Sequence, residues 1–262
     1  MRLKGVLSYK GTNFFGYQIQ KDSTQRSVQK EIQDVLKRIF NSEIKIFSSG
    51  RTDRGVHAVG QVIHFDIEKE VNVTKLKHSM NCLLPSDIHF ISLEEVDETF
   101  HARFSCVNKE YRYVINLGEY SPLTNDIMYN YCSSLDLEKI KEAMKLFIGR
   151  HNFINFCAND DGDYIREIYS FTCEEKENII TFKIIGNGFR RYMVRMIIGT
   201  LIEVGKNKLD IDSLRTLING ENFLRVSFKA PSEGLYLYKV NYEKEGKSEY
   251  DDNQTQLSHS YI

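Results

Sequence analysis

Asp53 is placed where a nucleophile could act. It stands in the run Ser49-Gly50-Arg51-Thr52-Asp53-Arg54-Gly55-Val56-His57-Ala58, a carboxylate between two guanidiniums with glycine on either side. Nearby cations favour the ionised carboxylate, so the run predicts an aspartate held anionic at neutral pH. Such a group is suited to attack and poorly suited to donating a proton. Arg51 and Arg54 also offer charge-assisted hydrogen bonds to a phosphate-bearing partner. The competing reading is a solvated turn in which Asp53 caps a backbone amide, since exposed ion pairs contribute only about 0–1 kcal/mol. Glycines on both flanks and an apolar strand pattern on each side favour a fixed, functional loop.

Two further constellations carry chemistry. Phe100-His101-Ala102-Arg103-Phe104 and Lys109-Glu110-Tyr111-Arg112-Tyr113 interleave aromatic rings with cations. Bases can stack on such rings while the cations meet phosphates; the alternative is an ordinary half-buried strand. In Gly186-Asn187-Gly188-Phe189-Arg190-Arg191-Tyr192-Met193-Val194-Arg195, two glycines lead into a helix expected to begin at Phe189, with three arginines in its first turns. Helix N-termini are already electropositive, so these arginines call for an anion, either a phosphate or a carboxylate such as Asp53. Arg195 sits among apolar neighbours, and a buried guanidinium needs a partner; snorkelling from an amphipathic helix is the alternative.

Other chemistries find no support. The seven histidines show no metal-ligand spacing, no phosphate-binding Gly-x-x-x-x-Gly-Lys loop is present, and the five cysteines form no Cys-x-x-Cys pair. The reading is therefore a reaction without cofactor or metal. Among 262 residues, 41% are hydrophobic and 27% charged, which is globular composition with enough chain for a sizeable core. The net charge of −1 means that any nucleic-acid site must rest on a local basic patch. No apolar run approaches the roughly 18 residues of a membrane span, and no signal-like segment opens the sequence. The expectation is a cytoplasmic protein.

The elements that must position these residues follow from periodicity. Strands are expected over 3–9, 44–48, 59–65, 87–96, 110–116, 165–174, 179–185 and 235–242. Helical spacing covers 27–39, 73–83, 135–148 with Asp136 as its cap, 189–205 and 211–218. Each half carries strands interleaved with two helices, an α+β pattern. The predicted division is an N-terminal half over 1–104, a C-terminal half over 105–242, and a polar tail over 243–262 expected to be partly disordered.

Seven runs in order resemble the TruA family of tRNA pseudouridine synthases. They are Tyr9-Lys10-Gly11-Thr12-Asn13-Phe14-Phe15-Gly16-Tyr17-Gln18, the Asp53 run, Met80-Asn81-Cys82-Leu83-Leu84-Pro85-Ser86-Asp87-Ile88, His101-Ala102-Arg103-Phe104-Ser105, Lys109-Glu110-Tyr111-Arg112-Tyr113, Gly186-Asn187-Gly188-Phe189 with Met193-Val194-Arg195, and Ala230-Pro231-Ser232-Glu233-Gly234-Leu235-Tyr236. The resemblance implies two ferredoxin-like α/β-sandwich halves sharing a central, mainly antiparallel sheet. It implies conversion of uridine to pseudouridine at positions 38, 39 and 40 of the tRNA anticodon stem-loop, without cofactor, by a homodimer. Asp53 matches the family's essential aspartate and proposed nucleophile, Tyr111 the tyrosine packed against the target base, Arg195 the aspartate's basic partner, and Arg51 an arginine of RNA contact and base flipping. Whether the aspartate attacks C1′ or C6, or acts as a base, stays open. Tyr17, Arg54 and Glu110 depart from the usual tryptophan, alanine and threonine, and none of these positions is one of the four site residues.

Overall fold

The computed structural model describes residues 1–22, 24–158, 162–220 and 226–242. In chain order its strands and helices are β1 (Arg2–Tyr9), α1 (Val28–Phe40), β2 (Ile46–Ser48), β3 (His57–Asp66), α2 (Val73–Leu83), β4 (Ile88–Val96), β5 (Cys106–Asn116), β6 (Tyr129–Asn130), α3 (Leu137–Lys145), β7 (Gly149–Asn152), β8 (Ile165–Lys176), β9 (Ile179–Gly186), α4 (Met193–Gly205), α5 (Ile211–Asn219) and β10 (Leu235–Tyr242). This is an α+β fold. The tail predicted over 243–262 lies outside the described residues. Among those described, no helix is long and apolar enough to cross a membrane.

The chain forms two compact units. The first holds Met1–Cys106 together with Tyr236–Val240, so the last strand returns to it after the second unit has been built. In the first unit β1 runs antiparallel between β3 and β4, β2 pairs antiparallel with the far end of β3, and Tyr236 and Leu237 of β10 run parallel to His57 and Ala58. Leu3, Leu7, Ile63, Phe65 and Phe90 are fully buried, together with Ile32 and Leu36 of α1 and Met80 of α2. Ser27 caps α1 by accepting a hydrogen bond from the Lys30 amide. One irregularity is repaired by a side chain: the β1–β4 register slips between Val6 and Leu7, and Asn81 of α2 bonds both the Phe90 N–H (2.8 Å) and its carbonyl (3.0 Å). Asn81 thereby satisfies both backbone groups of Phe90 beside the bulged Ile91, whose own carbonyl accepts from Lys77 Nζ (2.8 Å).

The second unit contains β5 to β9 and α3 to α5. β9 is paired antiparallel to β5 on one side and β8 on the other, β7 pairs with β8, and the two-residue β6 runs parallel to the end of β5. α4 is apolar almost all round, with Arg195 and Glu203 its only residues outside the buried class, as befits a helix packed on every side. It begins at Met193, four residues later than the spacing predicted, because Tyr192 takes a left-handed φ of 66°. Arg190 and Arg191 therefore lie in the turn before the helix, and Arg195 alone of the three arginines is on it. That corrects the expected row of arginines along the first helical turns.

His64, on β3, is buried and accepts a hydrogen bond from the Ala102 amide through Nδ1 (3.1 Å). Burial, with smaller contributions from His101 and Arg2, pushes its pKa from 6.5 down to about 4. Between those values the folded protein keeps His64 neutral while the unfolded chain takes up a proton, so stability falls as pH drops through this window. Urea denaturation at pH 7 and pH 5 should show a loss of roughly 1–2 kcal/mol from this group. His64→Gln should flatten that part of the slope; an unchanged slope in the variant would remove His64 as its source.

Candidate active site

The Asp53 loop joins β2 to β3 and is held chiefly through its backbone. The Ser49 amide donates to the Val62 carbonyl (2.8 Å), and the Val56 amide closes a turn on the Asp53 carbonyl (3.1 Å). The opposite wall is the segment that follows β1. There the Tyr17 amide donates to the Thr52 carbonyl (3.0 Å), and the Gly55 amide to the Phe14 carbonyl (3.3 Å). Gly16, at φ 98°, approaches so closely that a Cβ would lie 2.8 Å from the Thr52 oxygen and 3.3 Å from the Asp53 carbonyl carbon. A Cβ on Gly11 would stand 2.0 Å from the Val56 oxygen, and its amide donates to His57 Nδ1 (3.0 Å). Only glycine permits such contact between two backbones.

Side chains complete the grip. The hydroxyls of Tyr9 and Thr52 share a buried hydrogen bond of 2.8 Å. Gln61 donates to the Gly50 carbonyl (2.9 Å) and accepts from the Ser49 hydroxyl (2.7 Å). Burial pushes the Tyr9 phenol up to about 12, against smaller opposing effects of Thr52 and Gln61, so Tyr9 stays protonated at neutral pH. Arg26 locks the same segment from behind, with a bidentate pair to Asp87 (2.9 and 3.0 Å) and its guanidinium 4.4 Å from the Phe14 ring centroid. Buried Thr52 and Val56 thus anchor a loop in which Asp53 itself is half-buried and Arg51 and Arg54 are exposed. The predicted arginine clamp does not close: among the described residues neither Arg51 nor Arg54 makes a salt bridge. Arg54 instead lies over the Phe15 ring at 4.3 Å, a cation–π contact.

Tyr111 and Arg195 belong to the second unit. Tyr111 lies on β5 opposite Ile184, is buried, and meets Phe189 edge to face at 5.2 Å. Its neighbour Glu110, also buried, pairs with Arg112 (2.9 Å) and Lys183 (3.4 Å). Arg195 Nε donates to the Ala230 carbonyl (2.8 Å), while the Ala230 amide donates to the Arg195 carbonyl (2.9 Å). The segment from Ala230 to Gly234 is further tied to β5 by Tyr113, whose hydroxyl donates to the Pro231 carbonyl (2.8 Å), and by the Val114 amide on the Gly234 carbonyl (2.9 Å).

One cationic cluster went unnoticed in the sequence. Around the Tyr192 ring stand Lys229 at 4.2 Å, Arg191 at 4.7 Å and Arg195 at 5.9 Å. The ring is held in a left-handed backbone conformation that costs a non-glycine residue about 1–3 kcal/mol. Arginine density hinted at this cluster, but Lys229 is too distant in sequence to be counted with it. The roles of Gly11, Gly16 and Tyr9 were equally hidden; their run carried family likeness without a stated task.

A family model described as tRNA pseudouridine synthase matches residues 6–105 and 143–243. A tRNA pseudouridine synthase A of Bacillus pumilus (strain SAFR-032) is 41% identical over 93% of this chain and 100% of its own length. One from Geobacillus sp. (strain WCH70) is 42% identical over 92% and 98%. Among solved structures, a chain of a Cbf5–Nop10–Gar1 complex is similar at 17% identity with a TM-score of 0.32; the match covers 76% of this chain and spans about half of the other, 54%.

The Gly16 contact makes a direct prediction. Gly16→Ala places a Cβ against the Thr52 carbonyl and demands a positive φ of alanine, so it should cost roughly 1–3 kcal/mol in urea denaturation. Gly188→Ala, whose Cβ would meet nothing nearer than 3.8 Å, serves as the control expected near wild type. Equal stabilities for the two variants would mean that the loop is not seated on Gly16.

Proposed function

The chain belongs to the tRNA pseudouridine synthase family, and on that premise we propose that it isomerises uridine to pseudouridine in tRNA, at positions 38, 39 and 40 of the anticodon stem-loop. The observation that carries the reading furthest is the Asp53 loop, a half-buried carboxylate on a backbone pinned from both sides. Catalysis of this kind rewards a nucleophile whose position is fixed before substrate arrives.

The reaction breaks the C1′–N1 bond and forms C1′–C5, with no net change in composition. Asp53 attacks C1′, and the electron pair of the glycosidic bond leaves with N1. The enclosed uracil turns, C5 displaces the carboxylate, the C5 proton is lost to a base, and N1 ends protonated. Tyr111, buried against Phe189, packs on the base and assists that proton transfer. Arg195 is the cationic partner of Asp53. The target nucleotide must first leave the stack at a cost of about a few kcal/mol. Arg51, exposed and without a salt bridge among the described residues, offsets part of it on the phosphates of the flipped strand. No cofactor or metal takes part. The working form is a cytoplasmic homodimer gripping one tRNA.

The test uses unmodified tRNA and carbodiimide-blocked reverse transcription to map the product. Modification at 38 to 40 is expected; a single different site would overturn the substrate assignment and keep the enzyme class. Asp53→Asn should lower turnover by about 10³-fold or more with tRNA affinity nearly unchanged, and a variant with near-normal turnover would sink the nucleophile assignment. Tyr111→Phe should bind tRNA and react about 10²-fold more slowly; full activity would count against its part in proton transfer.

A further inference from the structure

The turn between β4 and β5 presents an aromatic stack that the reaction at Asp53 does not use. Phe104 is 77% exposed, the second most exposed large apolar side chain among the described residues. Its ring lies 4.3 Å from that of His101, His101 lies 4.6 Å from His64, and His64 is stacked on Phe47 at 4.9 Å and 15°. The row thus runs from half-buried Phe47 through buried His64, which His101 meets edge to face at 62°, to the solvent-facing Phe104 ring, tilted 34° from His101.

The turn is built, not loose. Arg2 of β1 donates to the carbonyls of Glu98 and Phe100. The Ala102 amide is held by His64, and His101 Nδ1 accepts from the amides of Arg103 (3.1 Å) and Phe104 (3.3 Å). An exposed phenylalanine on so constrained a turn gains nothing for stability, since its ring stays in water. Two cations flank the stack: Arg103 sits 5.8 Å from the Phe104 ring and Lys45 5.1 Å from the Phe47 ring. Both are exposed, and among the described residues neither makes an ion pair. Burial lowers the pKa of both His64 and His101, so at neutral pH the stack is uncharged and the positive charge is confined to its rim.

We propose that the Phe104–His101 stack, rimmed by Arg103 and Lys45, is a second RNA-contact site that receives an unstacked tRNA base away from the reacting uridine. A flat ring in water with unpaired cations beside it matches a base with its phosphates, because base–aromatic stacking tolerates any base and cations track the backbone. Phe104 and His101 belong to the turn between β4 and β5, while Asp53 belongs to the loop between β2 and β3. The site therefore meets a nucleotide other than the target and helps to set which uridine reaches Asp53.

The inference rests on tRNA being the substrate, and the experiment separates the two. tRNA affinity is measured on full-length Asp53→Asn protein, with and without Phe104→Ala, using an unmodified transcript; turnover is measured on protein with Asp53 intact. Phe104→Ala should weaken binding about tenfold and raise KM by a similar factor, with Phe104→Trp restoring both. Sedimentation should give the same mass for all variants. Affinity within twofold of the parent would overturn the proposal. So would a change of mass in Phe104→Ala, which would make the ring a contact between copies of this chain. If protein with Phe104 intact neither binds nor modifies tRNA, the function reading fails first and takes this site with it.

Discussion

Everything in the first unit depends on two stretches of backbone touching without side chains between them. Gly11 and Gly16 lie against the carbonyl groups of the Asp53 loop at distances no Cβ could share. Side-chain contacts have rotamers and can relax; a carbonyl lodged against a Cα cannot. The loop therefore inherits the rigidity of β1 and α1, and Asp53 is aimed by the sheet and not by its sequence neighbours. The hydrogen bonds of Tyr9, Thr52 and Gln61 then satisfy polar groups that this close packing removes from water.

The second unit solves a different problem, that of holding cations in place. α4 is buried on nearly every face, yet its start is a strained tyrosine ringed by two arginines and a lysine. Concentrating positive charge at a helix N-terminus opposes the dipole, and the left-handed Tyr192 adds strain. Such costs are tolerated where an anionic ligand offsets them, which agrees with an RNA substrate. The paired hydrogen bonds between Arg195 and Ala230 fix one of these cations to a segment that Tyr113 and Val114 tie to β5.

The long elements were legible in the sequence because their periodicity is strong. β1, α1, α2, β9 and β10 fall within a residue or two of their expected bounds, and Asp136 caps α3 as expected. Short β6 and β7 were missed, since two and four residues carry too little pattern to read. The start of α4 was misplaced because nothing in Arg190-Arg191-Tyr192 announces a left-handed tyrosine. Asp53 was visible through its flanking glycines and charges. The glycines that seat its loop were not, since close approach between distant segments leaves no local signature. Charge and spacing alone give Arg51 and Arg54 equal standing, and only the family resemblance separates them; the structure has Arg54 over the Phe15 ring and Arg51 unengaged by any salt bridge among the described residues.

The return of β10 to the first unit has a consequence for how the chain is made. Tyr236 pairs with His57 and stacks on its ring at 4.7 Å, just beyond the Asp53 loop. That contact joins segments far apart in the chain, so closing it is slow and comes late. During synthesis, Asp53 emerges from the ribosome long before the strand that buttresses the end of its loop. An incomplete nascent chain thus carries Asp53 without the finished support of its loop. The loop's full support is complete only when the polypeptide is nearly whole.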